Sequence, residues 1–73
     1  SLKDSYASAT EYNRFEQYDV FARIAYDVIL KCVDISIKKD ALQMLEGCAS
    51  YRFSAKNMLD DIKSKSIFDD TQI

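Results

Sequence analysis

From Ser8 to Asp34 the chain runs without Gly or Pro, and its apolar residues return at helical spacing over the whole stretch. At about 100° per residue, Phe15, Tyr18, Phe21, Ala22, Ile24, Ala25 and Val28 lie on one broad arc with Tyr26, Ile29, Cys32 and Val33. That arc spans roughly 200°, whereas a surface helix facing a single core needs an apolar stripe of about 100°. Asp19, Arg23, Asp27 and Lys31 fall opposite, four residues apart and alternating in sign, which reads as a wet face of i,i+4 pairs. Exposed pairs of this kind contribute little to stability. A helix with one wet side and two dry ones has more apolar surface than its own chain is placed to cover.

Length sharpens that constraint. The chain has 73 residues, and burial nearly cancels ordering entropy in a domain this small, so such folds usually lean on disulfides, a metal or a partner subunit. Cys32 and Cys48 allow at most one bridge, and both sit on apolar faces, where free thiols behave as small hydrophobes. With no His and no paired-Cys spacing, neither a metal nor any other cofactor is expected. A partner subunit remains.

The composition excludes other classes. A balance of Lys+Arg 10 against Asp+Glu 12 argues against a nucleic-acid or anionic-membrane surface. Hydrophobic residues at 48% with a single Gly describe a folded domain rather than low-complexity disorder. No secretory core or apolar run of membrane-spanning length stands out, so an intracellular setting is expected, cytosolic or nuclear. The chain opens on Ser1, and we read it as a piece of a larger protein.

The pattern predicts an all-α domain of three helices within residues 1–73, a unit that assembles into a larger helical bundle. Residues 1–7 read as a frayed lead-in. A long helix follows over about 9–33, opened by the capping box Ser8-Ala9-Thr10-Glu11. A second helix is expected over about 37–46, capped by Ser36 and stopped by Gly47 as its C′ residue. Its apolar set is Ile37, Ala41, Leu42, Met44, Leu45 and Cys48. After a connection of roughly six residues, Ser54 opens a third helix over about 55–65, with Phe53 and Met58 placed as a hydrophobic staple. Ala55, Met58, Leu59 and Ile62 form its inner face. Ile67 and Phe68 fall off that face into a separate turn, and 69–73 read as a loose acidic end.

Little here carries chemistry. No His stands ready as a base, the Ser and Cys residues sit in no nucleophile motif, and the adjacent acids Asp60-Asp61 and Asp69-Asp70 diverge on a helix. The chain does not read as an enzyme. Ser66 to Asp70 has the look of a short docking or phosphorylation motif, with a solvated terminus as the plainer account. A helix-turn-helix is suggested by a short helix, Gly47 and a third helix, but the connection reads as too long and base-reading residues are few beyond Arg52 and Asn57.

The aromatic distribution points to association. Tyr6, Tyr12, Phe15, Tyr18, Phe21 and Tyr26 crowd the first part of the chain, and two short helices folded back on the long one reach its C-terminal half but not Tyr12 to Phe21. Two seams run along the long helix. Phe15, Tyr18, Ala22, Ala25, Ile29 and Cys32 step three and four apart with small residues at the centre, and Phe21, Ile24 and Val28 form a bulkier parallel line. One seam should hold the domain's own helices and the other a symmetry mate. The expected interface is Tyr12, Phe15, Tyr18, Phe21, Ala22, Ile24, Ala25 and Val28. The expected work is self-association, as homodimer or homotetramer, within a scaffold of a larger protein. The rival is docking an amphipathic helix of another protein, with weak DNA contact third.

Overall fold

The computed structural model describes the backbone of residues 2–68 and the side chains from Arg14 onward. The fold is all-α: α1 spans Leu2–Lys31, α2 Ile35–Ala49 and α3 Phe53–Ser64, each packed against the other two. The expected acidic end at 69–73 lies outside the described residues, as do the side chains of Tyr6, Ser8, Glu11 and Tyr12.

Helix boundaries follow from which groups take the orphan backbone donors. α1 begins at Leu2, so Ser8 sits inside it rather than capping it, and it ends at Lys31, two residues before the expected Val33. The end is set from the other side of the break. Asp34, not Ser36, is the N-cap of α2, its carboxylate accepting from Ser36 N at 2.9 Å and Ile37 N at 3.4 Å. Ser36 contributes its hydroxyl to the same carboxylate at 2.8 Å. The residue expected to cap is thus a donor to the residue that does. Val33, left between helices, is 97% exposed.

Gly47 does not terminate α2. The helix continues to Ala49, and its end is closed by backbone donors, with Tyr51 N and Arg52 N both reaching Cys48 O at 3.0 Å. The connection to α3 is therefore three residues, Ser50 to Arg52, half the expected length. Arg52 takes the N-cap place of α3 but makes no side-chain cap bond, because its guanidinium is turned to α1. Ser54 lies inside the helix, and Phe53, 84% exposed, forms no staple. At the far end Lys65 N donates to Asp61 O and Ile62 O, and Ser66, at φ 55°, supplies the left-handed turn that more often falls to glycine. That turn folds Ile67 and Phe68 back against the core.

The buried core consists of Ala22, Ala25 and Ile29 from α1, Ala41, Leu45 and Cys48 from α2, and Ala55 and Ile62 from α3. The 3-4-spaced seam of α1 is thereby the intramolecular one. Alanines at the contact lines let the helices approach closely, and among the described residues only Ile29, Leu45 and Ile62 are large and fully buried. Met44 and Ile37, expected inside, are 49% and 48% exposed. Cys48 is buried and Cys32 half-buried, both as free thiols.

Gly47 is an outlier in this economy of small residues. It lies in the last turn of α2 without a positive φ, and a Cβ placed on it meets nothing within 4 Å. Glycine is less favourable than alanine in a helix, and no side chain among the described residues fills the space above it.

Leu45 and Met44 are neighbours in sequence with opposite burial. Leu45→Ala should destabilise the fold by about 2–5 kcal/mol through the cavity it leaves. Met44→Ala should cost a small fraction of that, with chemical denaturation of the dilute protein as the measurement.

Candidate functional site

Three polar and aromatic arrangements fix where α1 presents its two seams. At the α2–α3 connection, Tyr51 stacks on Tyr18 with ring centroids 4.9 Å apart and planes within 9°. Phe15 packs at 6.2 Å from Tyr18 and 6.4 Å from Tyr51. The reach expected of the short helices is thus exceeded, because the connection carries its own aromatic ring as far as Phe15.

Beside that stack, Asp19 accepts a two-pronged bond from Arg52, Nε and Nη2 each at 3.0 Å, and a third from the Ser54 hydroxyl at 2.6 Å. Asp19 was expected on the wet face. It is half-buried and ties α1 to the start of α3, and Arg52 and Ser54 together hold its carboxyl below the ordinary value of 3.8. Toward the other end, Asp61 of α3 accepts from Tyr26 Oη and from Lys65 Nζ, the latter at 2.7 Å. Lys65, then Tyr26, lower the Asp61 carboxyl in the same way. The Tyr26 ring also has Arg23 and Lys65 each 5.9 Å from its centroid. Of the expected wet-face pairs, Arg23–Asp27 is formed, at 3.5 Å and largely exposed.

These contacts place α3 on the flank of α1 that carries Asp19 and Tyr26. By helical geometry Phe21 and Ile24 lie roughly 160° around α1 from those two residues. Phe21 is 44% exposed and Ile24 53%, with Val28 half-buried at the edge. On α2, α3 sits against the side of Leu42 and Glu46, across a groove of about 280 Å³ that Leu59, Ile62, Lys63, Ser66 and Phe68 also line. Met44 lies roughly 160° around α2 from Leu42. Phe21, Ile24 and Val28 of α1 and Ile37 and Met44 of α2 therefore belong to one face of the α1–α2 pair, the face turned away from α3.

The residues expected at an interface are divided accordingly. Ala22 and Ala25 are consumed by the intramolecular core, and Phe15 and Tyr18 are engaged by Tyr51. Phe21, Ile24 and Val28 stay on the outer flank, and the side chain of Tyr12 lies outside the described residues. Ile37 and Met44 were missed, because helical spacing alone assigned them to the core. Their signal was the small residue beside each, Ala41 and Cys48, which leaves room at the contact line for only one layer.

Other chemistry finds little footing. The three-residue connection removes the spacing argument against a helix-turn-helix. Yet Arg52 and Ser54 at the head of α3 are turned to Asp19, and its exposed side mixes Lys56 and Lys63 with Asp60. Among the described residues no group of three His, Cys, Asp or Glu is arranged to hold a metal ion, and no helix is long and apolar enough to cross a membrane. Comparison with protein-family models, curated proteins and solved structures finds nothing that matches the chain.

Asp19 and Asp27 offer a direct contrast. Asp19→Asn should lower the melting temperature clearly more than Asp27→Asn, since it breaks a two-pronged bond between helices rather than an exposed pair within one. Carboxyls held below their ordinary value stabilise the folded state above about pH 4, and that contribution fades as pH falls through their folded values. A melting series from pH 6 to pH 2 should show wild type losing stability on acidification, with a shallower loss in Asp19→Asn.

Proposed function

We propose that this chain is a self-association module, joining copies of itself through the outer face of the α1–α2 pair. The observation that carries this is the gathering of Phe21, Ile24, Val28, Ile37 and Met44 on one face, with no helix among the described residues over it. Contiguous apolar patches of this kind are avoided by soluble monomers and mark contact surfaces.

The core supports the same reading from the other side. Three large, fully buried side chains and a set of alanines make a thin interior for a chain of this length, and small domains with thin cores commonly complete themselves through a subunit contact. Aromatic and β-branched residues at the face bring large area at little entropy cost. The work done is mechanical: joined copies raise the effective concentration of whatever a larger polypeptide carries. Docking a foreign amphipathic helix uses the same face and differs in the partner alone.

The test is mass in solution. Wild type should sediment as a dimer or larger, with a melting temperature that falls on dilution because folding and assembly are linked by mass action. Ile24→Asp should shift the population to monomer and lower the melting temperature at high concentration. A monomer at every concentration, melting at one temperature over a hundredfold dilution, would overturn self-association and leave the docking of another protein's helix.

A further inference from the structure

Gly47 leaves a space at the surface that no described side chain fills. It sits within α2, adopts no positive φ, and would accept a Cβ into open space. Glycine is less favourable than alanine in a helix, and the open space it leaves at the surface is room for a side chain from outside the chain. By helical geometry Gly47 falls on the same outer side of α2 as Met44, about 60° from it, at the edge of the apolar face.

Its height in the fold is also set. Tyr18 stacks on Tyr51 and Asp19 bonds Arg52, so the end of α2 is level with that part of α1. The turn at 32–34 joins the helices at the other end. Gly47 therefore stands level with Asp19 and Val20, Met44 a turn further along, and Asp40 level with Asp27. Side chains on a helix lean toward its N-terminus, which brings the Phe21 ring to the level of Gly47, Ile24 to that of Met44, and Lys31 toward that of Asp40.

We infer that Gly47 is the seat for Phe21 of a second copy, the two copies being related by a twofold axis running along the helices. This deepens the self-association reading and rests on it. Such an axis keeps heights unchanged and lays α1 of each copy over α2 of the other. The bulkiest side chain of the face then meets the one position with no side chain, Ile24 meets Met44, and the Lys31 cation approaches the Asp40 carboxylate. An axis across the helices instead sets α1 on α1 and α2 on α2, and at any height it leaves Lys31 and Asp40 apart, each without its opposite charge. Charge and shape select the first arrangement. α3 lies on the far side of each pair, so the contact is two α1–α2 layers face to face.

The experiment uses the whole chain. Gly47→Gln replaces glycine with a better helix former of no net charge, and Asn57→Gln, exposed on α3, serves as the control. Helix content by circular dichroism should hold or rise in Gly47→Gln, while sedimentation equilibrium shows self-association weakened at least tenfold. Asn57→Gln should associate as wild type does. Phe21→Ala should weaken association alone yet add little in the Gly47→Gln background, since both remove the same contact. Wild-type association retained in Gly47→Gln, or full additivity of the two changes, would overturn the seat while leaving self-association standing. A monomeric wild type overturns both.

Discussion

The close approach of three helices along a line of alanines is the constraint from which the rest of the structure follows. Ala22 and Ala25 on α1, Ala41 on α2 and Ala55 on α3 are buried where the helices meet. Small side chains at a contact line bring backbones together, and close backbones leave no volume for large side chains between them. The chain is nonetheless rich in large apolar residues. Those that cannot enter are displaced to the edges, which is why Phe21, Ile24, Ile37 and Met44 stand half in water beside a core whose large members are Ile29, Leu45 and Ile62. Exposure of the outer face and thinness of the core share one cause.

A thin core also explains the concentration of polar bonding around α3. A short helix seated on alanines gains little from burial, so its position is fixed by directed contacts at either end. Asp19 takes Arg52 and Ser54 at the start, and Asp61 takes Tyr26 and Lys65 toward the finish. Both carboxylates are solvent-accessible, so each bond is modest in strength, but the two lie at separate points along the helix and together define its direction. The Tyr18–Tyr51 stack adds area at the end where the alanine seam runs out.

How much of this was legible in the sequence varied with the physical origin of each feature. Three helices, their order and the buried face of α3 follow from periodicity, which tertiary packing reinforces rather than opposes. The two seams of α1 were visible, but not which of them faced inward, because periodicity measures direction around one helix and is blind to what stands opposite. Boundaries failed where local signals competed. Ser36 and Ser54 are good caps in isolation, but Asp34 reaches the same donors with a charge, and Ser54 is drawn away by Asp19 across the fold. Gly47 was taken for a stop signal when the following residues were helix-compatible and closed the turn through their own backbone. Asp19 looked like one of four alternating surface charges, and nothing local distinguished the one whose partner lies thirty-three residues later.

Gly47 shows how two physical causes share one sequence signal. A stop signal and a contact site leave the same mark in a sequence, a single Gly near the end of an apolar pattern. They differ in backbone conformation, since a C′ glycine is chosen for its left-handed φ and a glycine at a contact for its missing side chain. Here φ is helical and the space above the residue is open, so the first explanation lapses. The buried alanines of the core show that small residues in this chain sit where its helices meet. The four buried alanines all face the chain's own helices. Under the proposed self-association, the position that is smaller still, facing outward beside the exposed apolar residues, follows the same rule with the approaching helix belonging to a second copy.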